Sequence, residues 1–126
     1  MDRDRAELLL HKAKQDELAL EKLLDDQDIE DDLLGFHAQQ AAEKMLKALL
    51  VRRAVDYPKT HNIRVLIELL AADGIAIPGE LAEIDTLTQF GTTFRYDTLP
   101  PAGTVERATW LSWIRTLRRF IEPLLG

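Results

Sequence analysis

The chain has 126 residues, of which 46% are hydrophobic and 30% are charged, as is typical of one globular domain with a single core. No apolar run approaches the roughly 18 residues that a membrane span needs, no signal-peptide pattern opens the sequence, and cysteine is absent, which excludes disulfides and thiolate metal ligands. The net charge of −6 argues against an extended, nonspecific nucleic-acid surface. We therefore expect one cytoplasmic domain over residues 1–126.

The first helix is predicted from about Arg3 to Leu24, with Asp2 or Asp4 as its cap. An apolar stripe at helical spacing defines its inner face and comprises Ala6, Leu9, Ala13, Leu20 and Leu24. Glu17 falls within this stripe, so we expect it to have a partner or to lie at the rim of the core.

Residues 25–32 carry six carboxylates in eight positions, and residues 1–34 together hold 12 acidic and 5 basic side chains. Dense like charge favours a solvated link, with Asp31 or Asp32 near the start of the second helix, where the helix dipole stabilises carboxylates. The alternative is a calcium loop, but the run lacks the glycine and the terminal glutamate of that motif. His11, His37 and His61 have no neighbour at ligand spacing, so no metal site is predicted.

The second helix is predicted from about Asp32 to Arg53, and its two faces differ sharply. Small and apolar residues occupy one broad arc, namely Leu34, Ala38, Ala41, Ala42, Met45, Leu46, Ala48 and Leu49. The opposite arc holds His37, Gln40, Glu43, Lys44 and Lys47. This polar line is either an ordinary solvated face with a Glu43–Lys47 pair or a surface that contacts phosphates or an acidic partner.

Pro58 ends the second helix and restrains Tyr57 to an extended conformation. A third helix, capped by Thr60 or Asn62, is predicted to end near residues 73–74. The apolar positions of this helix are Ile63, Leu66, Ile67 and Leu70. A fourth helix should begin at Pro78 and end near Gly91, and it carries Leu81, Ile84 and Leu87.

Residues 91–103 contain two prolines and two glycines and are predicted to be irregular, with Phe94, Tyr96 and Leu99 as anchors. Two interpretations of Arg95 and Tyr96 stay open. Either both contact the polar line of the second helix across a cleft, or Arg95 pairs with a carboxylate and Tyr96 packs into the bundle core. The last helix, capped by Thr104, has the strongest amphipathic pattern, formed by Trp110, Trp113, Ile114, Leu117, Phe120, Ile121 and Leu124. The predicted fold is all-α, an antiparallel up-and-down bundle of four main helices plus a short fifth helix.

The sequence contains no complete catalytic constellation. Cysteine-based nucleophilic catalysis is excluded. The single serine, Ser112, lies within the last predicted helix, flanked by tryptophans, rather than in a nucleophile elbow. No phosphate-binding loop or dinucleotide fingerprint is present, so no cofactor is predicted.

Three segments carry a family resemblance, namely residues 36–50 (FHAQQAAEKMLKALL), residues 57–63 (YPKTHNI) and the pair Arg95-Tyr96. Together they resemble the HEPN family, the higher eukaryotes and prokaryotes nucleotide-binding domain. The resemblance covers nearly the whole chain and implies a helical bundle of four long helices that is commonly dimeric. It also implies that a minimal nucleotidyltransferase encoded nearby is the partner and that the ligand is a nucleotide.

Many members of this family are metal-independent ribonucleases marked by an arginine, four to six residues, and a histidine. After Arg95 the required window holds Pro100, Pro101 and Ala102, and Arg53 precedes His61 by one residue too many. Arg5 and His11 match formally but lie about 120° apart on the first helix. The absence of this spacing where the family has it argues against nuclease activity and, with it, against an enzymatic function of the chain.

The resemblance and the polar line together predict a non-catalytic homodimer that binds a nucleotide or pairs with a nucleotidyltransferase in a toxin–antitoxin-like system. The expected ligand-binding residues are His37, Gln40, Lys44, Lys47, His61, Arg95 and Tyr96, without a metal or a cofactor. Two alternatives stay open, namely a ribonuclease toxin with a displaced motif and a purely structural dimerisation module.

Overall fold

The computed structural model describes residues 2–91 and 107–126, and within them it contains helices and no strand. The four α-helices are α1 (Asp2–Leu23), α2 (Asp31–Arg52), α3 (Ile63–Ala72) and α4 (Arg107–Ile121). Three 3₁₀-helices cover Gly79–Leu81, Ile84–Phe90 and Glu122–Leu125. The predicted all-α class is confirmed.

Contacts at the two ends of the bundle fix the directions of α1, α2 and α4. Arg107, the first residue of α4, pairs with Asp31 at the start of α2 (2.7 Å) and donates to carbonyls of the α1–α2 link. At the opposite end, the carbonyls of residues 125 and 126 accept hydrogen bonds from Arg52 at the end of α2 and Arg3 at the start of α1. Helix α1 is therefore antiparallel to both α2 and α4.

Helix α2 is the centre of the bundle, and α1 makes its most extensive contacts with it. All eight residues of the predicted apolar arc are completely buried. Four of them are alanines, whose short side chains let neighbouring helices approach closely. Gly35 extends this effect, because a Cβ atom there would lie 2.6 Å from the ring of Phe90.

The linker between α2 and α3 turns back along the surface of α2. The Tyr57 ring lies over the Lys47 ammonium (5.5 Å to the ring centroid), and His61 reaches Glu43 further back along the helix. Residues 53–62 therefore pass from the end of α2 towards its middle. This path covers part of the polar arc that the sequence presents as solvated.

Helix α3 begins beside the middle of α2 and ends beside its last turn, where Asp73 pairs with Arg53. It therefore runs in the same direction as α2. The second 3₁₀-helix then returns, with Asp85 beside Arg64 and Phe90 beside Gly35. Successive segments of the chain alternate in direction, but two of the returning segments are the linker and the 3₁₀-helices rather than α-helices.

The predicted fourth helix is present as the two 3₁₀-helices over Gly79–Leu81 and Ile84–Phe90. The hydroxyl of Thr86 donates to the carbonyl of Glu83 (2.7 Å), and such a bond competes with regular helical pairing in a short segment. The hydroxyl of Thr88 accepts from the Ile63 amide (3.1 Å) and so attaches the segment to the start of α3. The three predicted apolar residues of this segment are buried all the same.

Helix α4 places most of its predicted apolar arc in the core, but Leu124 is 45% exposed. Pro123 lies in the 3₁₀-helix that follows α4, and the changed winding buries Leu125 instead. Helix α4 also supplies the partner of Glu17, because Arg118 donates two hydrogen bonds to that carboxylate (2.8 and 3.1 Å). The predicted cap Thr104 lies outside the described residues. Within residues 2–91 and 107–126, no helix combines the length and the apolar character that a membrane crossing requires.

Candidate polar site on the central helix

The polar arc of α2 lies between α1 on one side and the linker 53–62 on the other. On the α1 side, Asp16 joins two of its members. The Lys44 ammonium donates to one carboxylate oxygen of Asp16 (2.6 Å), and the Nδ1 atom of His37 lies 3.1 Å from the other. The carboxylate of Asp16 is largely shielded from solvent, at 12% exposure. The α1 side of the arc is therefore held by a two-way bridge.

On the linker side, Glu43 joins three side chains. Its Oε1 atom accepts from Gln39 (2.9 Å) and contacts the Nδ1 atom of His61 (2.8 Å), while its Oε2 atom accepts from Lys47 (2.9 Å). Glu43 is 5% exposed and Gln39 is completely buried. Helix α2 presents Glu43 outward, and the linker covers it.

Two opposing effects act on the pKa of Glu43. Burial raises the pKa, because the charged form loses hydration, and hydrogen bonds from Lys47, Gln39 and His61 lower it. The hydrogen bonds outweigh burial, so the pKa of Glu43 lies below its ordinary value. Glu43 is therefore ionised at neutral pH, and both of its oxygens are engaged by neighbouring side chains.

Gln40 extends the Glu43 group along the helix. Its amide donates to the side-chain oxygen of Gln39 (2.7 Å), and the Gln39 amide also donates to the backbone carbonyl of His61 (3.0 Å). The Gln39 amide lies against Gly91, where a Cβ atom would come within 2.7 Å of it. A side chain at position 91 would therefore displace Gln39 from this network.

The five side chains and their carboxylate partners form a nearly charge-balanced surface, which we call the α2 polar cluster (His37, Gln40, Lys44, Lys47 and His61). Lys44 and Lys47 are 24% and 15% exposed, and each is paired with a carboxylate. A phosphate would therefore have to share these cations with Asp16 and Glu43. His61 is the most exposed member, with 55% of its side chain accessible to solvent. Only its Nδ1 atom contacts Glu43, so its Nε2 atom takes no part in that contact.

The structure brings together five of the seven residues predicted to bind a ligand. Arg95 and Tyr96 lie outside the described residues. The sequence interpretation missed Asp16 and Gln39 and assigned Glu43 only its pair with Lys47, which the structure contains. Helical spacing could have identified Asp16, since it lies three residues after Ala13 and four before Leu20 and so shares their inward face. Helical spacing could not have identified Gln39, because its position lies at the border between the apolar and polar arcs of α2.

Neither a metal group nor the formal nuclease pair is assembled in the described part of the chain. No three histidine or acidic side chains there come close enough to hold an ion. Arg5 donates to the Tyr57 hydroxyl (3.4 Å), and His11 is exposed on α1. The acidic link is organised by other contacts, such as the Asp28 amide donating to Asp26.

In comparison with known protein families, a family model described as the HEPN domain matches residues 6–126. Neither a curated protein nor a solved structure matches the chain.

Proposed function

The chain belongs to the HEPN domain family, and on this premise we propose that it is a non-catalytic, cytoplasmic homodimer that binds a nucleotide, pairs with a minimal nucleotidyltransferase, or does both. Such a pair would act as a toxin–antitoxin-like system. The observation that carries this proposal is the α2 polar cluster, in which two histidines, two lysines and a glutamine converge between α1 and the linker.

The spacing of arginines and histidines supports the absence of catalysis in this proposal. In the whole sequence only Arg5 and His11 have four to six residues between them. The Arg5 guanidinium contacts Tyr57 rather than His11. A ribonuclease needs an acid–base group at the scissile phosphate together with charge stabilisation there, and this pair supplies neither in the structure.

The cluster supports binding because its contacts leave specific groups available. Gln40 keeps its carbonyl oxygen, His61 keeps Nε2, and each lysine keeps donors beyond the one used for its carboxylate. A nucleotide offers acceptors to the lysines and an edge of mixed donors and acceptors to Gln40 and His61. Phosphate binding would then compete with Asp16 and Glu43 for the two lysines, which should weaken the affinity of this surface for a nucleotide.

A nucleotide titration tests the nucleotide half of the proposal, that the chain binds a nucleotide. Amide shifts of the isotopically labelled chain are followed while ATP, AMP and other nucleotides are added. The proposal expects shifts at His37, Gln40 and Lys44, together with weaker binding in the Lys47→Gln variant. The matched control is Lys22→Gln, because Lys22 is exposed on α1 and forms no hydrogen bond or ion pair with another residue in the described part of the chain. No shift at millimolar nucleotide would remove the nucleotide half.

The pairing half is tested separately by co-expression with a nucleotidyltransferase encoded beside the gene. The proposal expects the two proteins to purify together through a size-exclusion column. Separate elution at micromolar concentration would remove this half and leave the nucleotide half to be judged by the titration.

One observation favours a second candidate, a ribonuclease with a displaced motif. The Nδ1 atom of His61 lies 2.8 Å from the shielded carboxylate of Glu43, which orients the ring, and 55% of the His61 side chain is exposed. This arrangement is that of a general base oriented by a carboxylate. Retention of intact RNA by cells that express the chain would dispose of this candidate, whereas toxicity abolished by His61→Ala or His37→Ala would establish it.

A further inference from the structure

The α2 polar cluster contains the same arrangement twice, in which one shielded carboxylate lies between one histidine and one lysine. We call the two arrangements the α1-side bridge, His37–Asp16–Lys44, and the linker-side bridge, His61–Glu43–Lys47. In the α1-side bridge, the histidine Nδ1 atom and the lysine ammonium contact different carboxylate oxygens, at 3.1 and 2.6 Å. In the linker-side bridge, the corresponding distances are 2.8 and 2.9 Å. Each carboxylate therefore keeps one oxygen for each partner.

The protonation of the two histidines decides the net charge of the two bridges. With both histidines neutral, two lysines balance two carboxylates. With both histidines protonated, the same six side chains carry two positive charges in excess. Histidine is the side chain that ordinarily titrates between pH 5 and 8. The lowered pKa of Glu43 keeps that carboxylate ionised in this range. The α2 polar cluster thus becomes positive as the pH falls from 8 to 5.5.

Protonation of a histidine also changes how its bridge can respond to an anion. With a neutral histidine, the lysine is the only cation of the bridge, so an anion has to compete with the shielded carboxylate for it. A protonated histidine supplies a second cation to the same carboxylate, on the oxygen that the lysine does not contact. The lysine can then turn its donors to an anion without leaving a shielded carboxylate unbalanced.

The elements around the bridges carry side chains of types that keep their charge over this range. These side chains include Arg5 and Lys12 on α1, Asp56, Tyr57 and Lys59 on the linker, and the Arg64–Asp85 pair between α3 and the second 3₁₀-helix. Aspartate ordinarily titrates near pH 4, and tyrosine, lysine and arginine titrate near pH 10 or above. The histidines are therefore the side chains of the cluster whose charge changes between pH 5.5 and 8.

We propose that the α2 polar cluster is a proton-coupled anion site. Protonation of its two histidines releases its two lysines to bind a negatively charged group. By linkage, a bound anion favours protonation of the histidines to the same extent. This inference rests on the proposed function for the location of the site, and it adds the condition under which the site accepts an anion.

Sulfate is the probe for the test, because its charge is constant between pH 5.5 and 8, whereas a phosphate titrates within that range. It is added to the isotopically labelled full chain at each pH and at low ionic strength. Amides of His37, Lys44 and Lys47 should shift. A unit charge about 7 Å from a divalent anion changes its affinity about five- to tenfold in water, and salt screens the effect. Sulfate should therefore bind at least about tenfold more weakly at pH 8 than at pH 5.5.

His37→Asn and His61→Asn separate the proton from the hydrogen bond. An asparagine amide can take the place of Nδ1 and donate to the carboxylate, but it does not titrate. Each variant should reduce the ratio of sulfate affinities at the two pH values. The double variant should bind sulfate equally at both, as weakly as the unmodified chain does at pH 8. If the double variant does not fold, the two single variants decide the matter.

His11→Asn is the matched control for these variants. His11 is exposed on α1, five residues and about 140° around the helix from Asp16, and it belongs to neither bridge. The control variant should keep the full pH dependence of sulfate binding.

The outcomes separate this inference from the proposed function. Equal sulfate affinity at the two pH values, pH dependence that survives in the double variant, or no shift in the cluster at pH 5.5 would each overturn the proton-coupled site. Nucleotide binding to the cluster together with any of these results would support the proposed function alone. Sulfate binding with the expected pH dependence, without a shift by any nucleotide, would support the proton-coupled site and remove the nucleotide half.

Discussion

Glu43 connects α2 with the linker 53–62, which leads into α3. It is 5% exposed, and its two oxygens serve Gln39, His61 and Lys47. A buried carboxylate is stable only when its hydrogen-bonding capacity is used. Loss of its charge would leave Lys47, itself 15% exposed, without its close partner.

Glu43→Gln should lower the free energy of unfolding at about pH 7 by about 1–3 kcal/mol, the range for loss of a buried charged hydrogen-bond partner. The deficit should shrink in acid. Because the pKa of Glu43 is lowered in the folded protein, its contribution is complete above the ordinary carboxyl value of 4.5 and is lost as pH falls through the folded-state pKa. Urea unfolding at several pH values measures the difference between the two proteins.

Glu68→Gln is the control for this prediction, because Glu68 is exposed on α3. It should change the free energy of unfolding by no more than about 0.5 kcal/mol at any pH. A Glu43→Gln deficit that stays constant or grows in acid would show that the lowered pKa is not what Glu43 contributes.

At the scale of elements, α2 and α3 end in the same hydrogen-bonded motif with different residues. Ala54 occupies the left-handed position after α2 (φ 58°), and Gly74 occupies the corresponding position after α3 (φ 90°). In both, the amide of the next residue donates to a helix carbonyl at 2.9 Å. Glycine adopts this conformation without the Cβ clash that alanine suffers.

Ala54→Gly should therefore raise the free energy of unfolding by about 0.5–1 kcal/mol, and Gly74→Ala should lower it by about 1 kcal/mol. A Cβ atom at position 74 would meet nothing within 4 Å, so the second effect reports backbone strain alone. Thermal or urea unfolding of the two variants measures both. Changes of the same sign would contradict the assignment of the two helix ends.

The sequence predicted those parts of the elements that depend on local periodicity. The apolar arc of α2 is buried as predicted, and Glu17 has a partner in Arg118. The two parts that it did not predict depend on the path of the chain. The covering of Glu43 requires the linker to turn back along α2, and residues 79–90 form two short 3₁₀-helices, in one of which the Thr86 hydroxyl bonds to the Glu83 carbonyl. Neither leaves a mark on hydrophobic spacing.

At the scale of the whole molecule, the fold brings the polar residues of α2 together but also pairs them. Five of the seven predicted ligand-binding residues form one cluster, and its lysines are balanced by Asp16 and Glu43. The family is established over residues 6–126, while its ribonuclease spacing occurs only at Arg5 and His11 on α1. The proposed function, binding without RNA cleavage, is consistent with both facts.

The most direct test of this central claim is an RNA cleavage assay. The purified chain, in excess over a labelled RNA and with a chelator present, is incubated beside its His61→Ala variant, and the RNA is resolved on a denaturing gel. We predict that the RNA stays as intact with either protein as in buffer alone. Cleavage by the unmodified chain that disappears in His61→Ala would contradict the claim.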